Sequence, residues 1–107
     1  MNEFDKREEG FEKKFALDEE QKFKALARRN RLLGLWAAEK LGIAGDAAAA
    51  YAREVVATDL EEPGGGGVLR KVMADFTARN VVVAEQAIRG RMDELGAVAA
   101  AEVKAGK

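Results

Sequence analysis

The side chains that most often carry out chemistry in proteins are missing from this sequence. Among its 107 residues there is no histidine, no cysteine and no serine, which removes the common nucleophiles, the usual general base near neutral pH and the softer metal ligands. The adjacent carboxylates Glu61 and Glu62 could in principle do acid and base work or hold a hard cation. They lie beside a helix end in a glycine-rich joint, so we interpret them as solvated surface. The sequence therefore predicts that the chain is not an enzyme and uses neither a cofactor nor a metal.

A glycine-rich stretch, PGGGGVLRK, is the one segment that resembles a phosphate loop. Glycine-rich backbone before a helix N-terminus can cradle an anion. A P-loop, however, needs Gly-Lys followed by Ser or Thr, and here Gly67 is followed by Val68 and Leu69. We therefore predict a flexible linker at this point.

A basic cluster precedes and includes the run ARRNR. On a helix, Lys24, Arg28 and Arg31 share one side, and the acids at positions 19 and 20 lie one turn before Lys22 and Lys24. This spacing predicts a solvated face with local ion pairs, and docking onto an acidic protein surface is the alternative. The two large aromatic residues of the body, Trp36 and Tyr51, are interpreted as core packing.

The opening stretch, MNEFDKREEGFEKKFALDEE, places three phenylalanines among many charges. Phe4, Glu8, Phe11 and Phe15 lie on one stripe of a helix, since residues three, four and seven apart share a face. A free helix of this length with Gly10 in its middle is marginal in water, so we expect an intrinsically disordered segment. Its rings either bind a partner, with the helix folding on binding, or the segment simply extends the first helix or lies back over the bundle.

Charge is distributed unevenly along the chain. The first 20 residues hold eight acids and four bases, although the net charge of the whole chain is only −1. An acidic head argues against a nucleic-acid-binding arm, which would need the opposite sign to neutralise phosphates.

The remaining sequence predicts an all-α domain, a four-helix antiparallel bundle of residues 18–107 with a flexible N-terminal arm of residues 1–17. Asp18 and Gln21 form a plausible capping box, Gly42 a stop, Asp46 an N-cap and Asn80 a left-handed helix end. The predicted helices cover residues of about 18–41, 46–61, 67–79 and 84–104. The residues expected to face the core are Phe23, Leu26, Asn30, Leu33 and Ala37 in the first, with Leu32, Leu35 and Trp36 widening that face, Tyr51, Ala52, Val55, Val56 and Leu60 in the second, Leu69, Val72, Met73 and Phe76 in the third, and Ile88, Met92, Leu95 and Ala99 in the last.

Composition places this bundle in a cytoplasmic protein. No run approaches the roughly 20 apolar residues that would span a bilayer, and no secretory signal is visible at the start. The absence of cysteine removes a disulfide framework. We expect no direct membrane insertion, and a monomer when the protein is free.

The stretch FDKREEGFEKKFALDEEQKFKALARRNRLLGLWAAEKLG, followed by DAAAAYAREVV, VLRKV and IRGRMDEL, resembles the ATPase inhibitor zeta-subunit family of alphaproteobacteria. The resemblance covers nearly the whole chain. It implies a four-helix bundle whose mobile arm enters a catalytic interface between the alpha and beta subunits of F1, near the rotating gamma subunit, and blocks ATP hydrolysis. The protein would then be peripheral to the inner membrane through F1. The matching arm positions are Phe4, Arg7, Phe11, Lys14 and Phe15, and Glu8 is counted with them because it lies on the same stripe.

Two departures from the family pattern lie outside the arm. The family commonly has a capping serine where this chain has Ala84, which should weaken the start of the last helix by about 1 kcal/mol. The second loop carries GGGG in place of acidic or polar residues. A generic helical adaptor or stress-related interaction protein remains the alternative to the inhibitor, and a nucleotide-binding module is the third hypothesis.

Overall fold

The computed structural model describes residues 16–107, and these form four α-helices without any strand. The helices are α1 (Glu19–Leu41), α2 (Gly45–Glu61), α3 (Gly66–Ala78) and α4 (Glu85–Lys104). The predicted all-α, four-helix antiparallel bundle is confirmed. The predicted arm lies outside the described residues, apart from its last two positions, and the division of the chain after residue 17 stays a prediction.

Local signals set both ends of α1. The side chain of Asp18 accepts a hydrogen bond of 2.8 Å from the Gln21 backbone N–H, and the Asp18 N–H donates one of 3.2 Å to the Gln21 side chain. This is the predicted capping box, which satisfies two amide donors that the helix itself cannot pair. At the other end Gly42 adopts a left-handed conformation with φ 76°, as predicted for a glycine stop.

The remaining helix ends agree only in part with the sequence. Asn80 is left-handed as predicted, with φ 59°, and the following Val81 N–H closes the end of α3 by donating to the Phe76 carbonyl over 2.8 Å. The predicted N-cap at Asp46 is wrong, because α2 begins one residue earlier, at Gly45. The N-cap is therefore Ala44, whose methyl group accepts no hydrogen bond, and Asp46 lies in the first turn, where its charge favours the helix dipole. Ala84 likewise caps α4 without a side-chain hydrogen bond.

Helix α1 lies at the centre of the bundle, packing most extensively against α2 and α4, while α3 packs mainly on α2. A glycine permits the closest approach between two helices. A Cβ atom built on Gly34 would lie 2.6 Å from the Cα of Ala52, well inside contact distance. The absence of a side chain at this position therefore lets the backbones of α1 and α2 come together.

The core is apolar and well sealed between these helices. Its largest fully buried residues include Leu33, Val55, Val72, Phe76 and Ile88, contributed by all four helices. The Trp36 ring meets the Phe76 ring edge to face, with centroids 5.9 Å apart, a favourable aromatic geometry. Most of the predicted core faces are confirmed, with Met73, Met92 and Leu95 partly buried against the core. The residues whose predicted burial is wrong are Phe23, Leu26, Leu35 and Leu60, all exposed.

None of the four described helices combines the length and the apolar character that a bilayer crossing requires.

Candidate partner-binding surface

The residues that the sequence nominates for partner binding precede the described part of the chain. Phe4, Arg7, Glu8, Phe11, Lys14 and Phe15 all lie outside residues 16–107. What the structure describes is the point at which they join the bundle and the surface around that point.

The junction is held firmly against the bundle. Leu17 is only 7 % exposed and belongs to a small apolar cluster with Ala25, Ala100 and Val103. The ammonium of Lys104 also donates a 3.4 Å hydrogen bond to the Ala16 carbonyl oxygen. Because Leu17 sits between α1 and α4, the attachment point of the first 15 residues has a defined position at the N-terminal end of α1.

The basic cluster near this junction is paired within the chain. Lys22 lies 3.1 Å from the Glu19 carboxylate and Lys24 lies 3.2 Å from that of Glu20, which confirms the predicted ion pairs. The Arg28 guanidinium reaches across to Glu102 of α4, at 3.4 Å, a partner that spacing within one helix could not show. Exposed pairs of this kind contribute little to stability, but they leave this face without a strong field of one sign.

Between these charges runs an apolar strip that none of the four described helices covers. Phe23 is 60 % exposed and Leu26 is 46 % exposed. They continue the stripe whose next members along α1, Asn30 and Leu33, are completely buried. We call the side chains of Phe23 and Leu26 the open face of α1.

A buried polar network lies one turn further along. The Asn30 amide donates a 2.9 Å hydrogen bond to Asp59 of α2, and its oxygen accepts from Arg29 Nη2 at 2.9 Å. Burial lowers the pKa of Arg29, and the charges of Asp59 and Asp93 offset that only in part. The second Asp59 oxygen is buried without a hydrogen-bond partner among the described residues. The sequence predicts Asn30 on the apolar face, as observed, but does not identify Arg29 and Asp59 as its partners. A polar residue within an apolar stripe is the signal that such a partner is needed.

A second polar cluster lies on the other side of the bundle, where α2 meets α3. The Tyr51 hydroxyl donates a 2.7 Å hydrogen bond to Asp75, and Lys71 contacts both Asp75, at 3.1 Å, and Glu54, at 3.3 Å. Burial and the hydrogen bond to Asp75 raise the pKa of Tyr51. Burial disfavours the Lys71 ammonium, but its two carboxylate neighbours outweigh this and raise its pKa. These groups satisfy one another, which favours a structural role.

Trp36, near the C-terminal end of α1, lies close to two cationic side chains. Its ring lies 5.4 Å from the Lys40 ammonium and 5.6 Å from the Arg91 guanidinium, distances at which a cation is attracted to an aromatic face. The ring also packs against the core, so the predicted packing role is confirmed. Within residues 16–107 no group of three acidic side chains is arranged to hold a metal ion.

The four helices place the chain among small all-α helical bundles. The family model for ATPase inhibitor subunit zeta matches residues 1–102. A protein whose structure was solved by NMR in solution is 47 % identical to this chain, with 79 % of this chain and 96 % of that chain covered and a TM-score of 0.69. Comparison with curated proteins finds no match. The chain belongs to the family of ATPase inhibitor zeta subunits.

Proposed function

We propose that the protein inhibits the F1-ATPase by inserting residues 1–15 as an amphipathic helix into a catalytic interface between an alpha and a beta subunit, close to gamma. Rotation and ATP hydrolysis would then be blocked by occlusion. This mechanism needs no catalytic group and no cofactor. Phe4, Phe11 and Phe15 are the anchors in this proposal, and Arg7, Glu8 and Lys14 are their polar neighbours.

One observation carries the proposal. The family model for the inhibitor subunit matches from residue 1, so the segment that bears the stripe of phenylalanines belongs to the family pattern. The four described helices already form a core without that segment. Burial of three rings at about 25 cal/mol per Å² could offset the cost of ordering a helix that is marginal in water. A segment that would gain order by burying its rings suits insertion into a partner.

The decisive experiment is an ATPase assay of purified F1 from the same organism, with the full chain and with a version lacking residues 1–15. The deletion should stop at residue 15, because Leu17 is buried between α1 and α4 and its loss would disturb the bundle. We expect the shortened chain to melt cooperatively, with helical circular dichroism, and to inhibit no longer. Normal inhibition by the shortened chain would show that these residues are not the inhibitory element.

Two single variants test the anchors themselves. Phe11→Ala and Phe15→Ala should each weaken inhibition by about 2 kcal/mol or more in binding free energy, as expected for the loss of a buried aromatic anchor. Val82→Ala is the matched control, since Val82 is 99 % exposed on the connection between α3 and α4. If both phenylalanine variants inhibit as well as this control does, their rings are not anchors.

A further inference from the structure

The open face of α1 has no partner within the described part of the chain, although its residues continue the core stripe. Phe23, Leu26, Asn30 and Leu33 recur at the spacing of one helix face. Exposure falls along them from 60 % and 46 % to 1 % and 0 %. An aromatic and a branched aliphatic side chain lie side by side here and form one contiguous apolar patch in line with the core stripe.

The cause of the exposure is the length of α2. Asn30 bonds to Asp59, which lies only two residues before the end of α2 at Glu61. Since α1 and α2 are antiparallel, the part of α1 before Asn30 runs past the end of α2. Helix α4 does follow α1 this far, but it contacts Ala25 and Arg28. The face that bears Phe23 and Leu26 is therefore left open.

We propose that Phe23 and Leu26 form a second contact with the F1-ATPase, on an apolar strip beside the mouth of the cleft that residues 1–15 enter. The inference rests on the proposed function. It would extend the interface from the arm into the folded bundle, and make the first two turns of α1 part of the binding surface.

Three observations favour the F1-ATPase as the partner that covers this face. The open face begins five residues after Asp18, about 8 Å along a helix, so a protein that holds residues 1–15 is brought close to it. The junction itself is fixed, because Leu17 is packed into the bundle. The charges on either side are already paired, Lys22 with Glu19 and Lys24 with Glu20, so the complementary surface needs apolar groups and no net charge.

Phe23→Ala in the full chain is the first test. We expect about tenfold weaker inhibition of F1, the effect of truncating a substantial interface residue, with an unchanged melting curve. Val82→Ala serves again as control, because that residue is also exposed and apolar but lines a groove with Trp36 and Lys40, towards the other end of α1. Leu26→Ala should act in the same direction as Phe23→Ala.

A photo-crosslinking amino acid gives a direct readout that a purely structural role would not produce. Benzoylphenylalanine at position 23 should crosslink to an alpha or beta subunit of F1, and the same group at position 82 should not. Absence of a crosslink at position 23, together with normal inhibition by Phe23→Ala, would overturn the proposal.

The outcomes separate this inference from the proposed function. If Phe11→Ala weakens inhibition and Phe23→Ala does not, the arm binds F1 and the open face does not. If neither variant nor the deletion of residues 1–15 matters, the proposed function fails and the second contact with it. Stronger inhibition by Phe23→Ala would show that the face instead covers residues 1–15 in the free chain, and a dimer that dissociates on Phe23→Ala would show that it binds a second copy. Either result overturns the proposal.

Discussion

The two ends of α1 carry the same apolar sequence pattern but differ in how far their apolar side chains are buried. Towards its C-terminus the apolar stripe is sealed by the other helices, with Leu33 and Ala37 fully buried. Towards its N-terminus the stripe continues through Leu26 and Phe23, and both remain exposed. We refer to these parts as the sealed end and the open end. The sequence pattern of a helix thus predicts which of its faces is apolar. The length and position of the helices packed against it determine how much of that face is buried.

Helix length accounts for the difference. Helix α1 has 23 residues and α2 has 17, a difference of about 9 Å at a rise of about 1.5 Å per residue. The pairing of Asn30 with Asp59 fixes the register. Asn30 lies 11 residues after the start of α1 and Asp59 only two before the end of α2, so α1 extends beyond α2 at its N-terminal end by nine residues, about 13 Å. In a protein whose first residues are proposed to enter another molecule, that excess lies where a partner would arrive.

The largest effect is expected at the sealed end, from Phe76→Ala. Phe76 is the largest fully buried side chain among the described residues and meets the Trp36 ring. Its removal should lower the free energy of unfolding by about 4 kcal/mol, because the transfer free energy of the ring is lost and a cavity is left behind. Urea denaturation followed by circular dichroism measures this. A loss below about 1 kcal/mol would mean that the core can collapse around the site, and that the sealed end is less tightly packed than described.

A smaller loss is expected from Gly34→Ala, also at the sealed end. The new methyl group would lie 2.6 Å from the Ala52 Cα atom and 3.3 Å from a Val55 methyl group, so α1 and α2 must separate. Overpacking of this kind costs about 1–3 kcal/mol, against a gain of about 1 kcal/mol in helix propensity. Gly90→Ala is the matched control, because Gly90 lies within α4 and a Cβ there would meet nothing within 4 Å. If Gly34→Ala and Gly90→Ala raise stability equally, α1 and α2 are not in close contact there.

The features that the sequence predicts correctly are the local ones. The capping box of Asp18 and the left-handed Gly42 and Asn80 depend on residues within one turn of each other, so their signals can be read from the chain itself. The four apolar stripes are local in the same sense, which is why the helical bundle could be predicted.

The features that it misses depend on contacts between distant residues. Asn30 is hydrogen-bonded to Asp59, which lies 29 positions away in the sequence, and Arg28 to Glu102, which lies 74 positions away. The exposure of Phe23 depends on where α2 stops. The cap of α2 is a local feature that the sequence nevertheless places two residues too late, at Asp46 instead of Ala44. The partner-binding positions from Phe4 to Phe15 stay predictions, since they precede the described residues.

Phe23→Ala should have little effect on stability, in contrast to Phe76→Ala. The ring is already 60 % exposed, so only a minor part of its transfer free energy is lost, and alanine is the better helix former. We expect the free energy of unfolding to change by less than about 1 kcal/mol. The same urea titration, run beside Phe76→Ala, checks this. A loss of unfolding free energy comparable to that of Phe76→Ala would mean that Phe23 is buried in solution and that the two ends of α1 do not differ.

The smallest effect is expected from a change of pH near neutrality. The chain has no histidine, so no side chain has an ordinary pKa between about pH 6 and 8, and helicity and sedimentation should stay constant there. At alkaline pH we expect the first loss of stability at the polar cluster between α2 and α3. Burial and the hydrogen bond to Asp75 raise the pKa of Tyr51 above its unfolded value, and the pKa of Lys71 is also raised. Such groups contribute fully to stability below their unfolded pKa values of about 10, and the contribution is lost as pH rises above them. Stability should therefore fall above about pH 10, and less steeply in Tyr51→Phe, which has no phenol to ionise. A cooperative transition centred near pH 6.5 would instead reveal a strongly shifted carboxylate, and with it a switch that neither end of α1 explains.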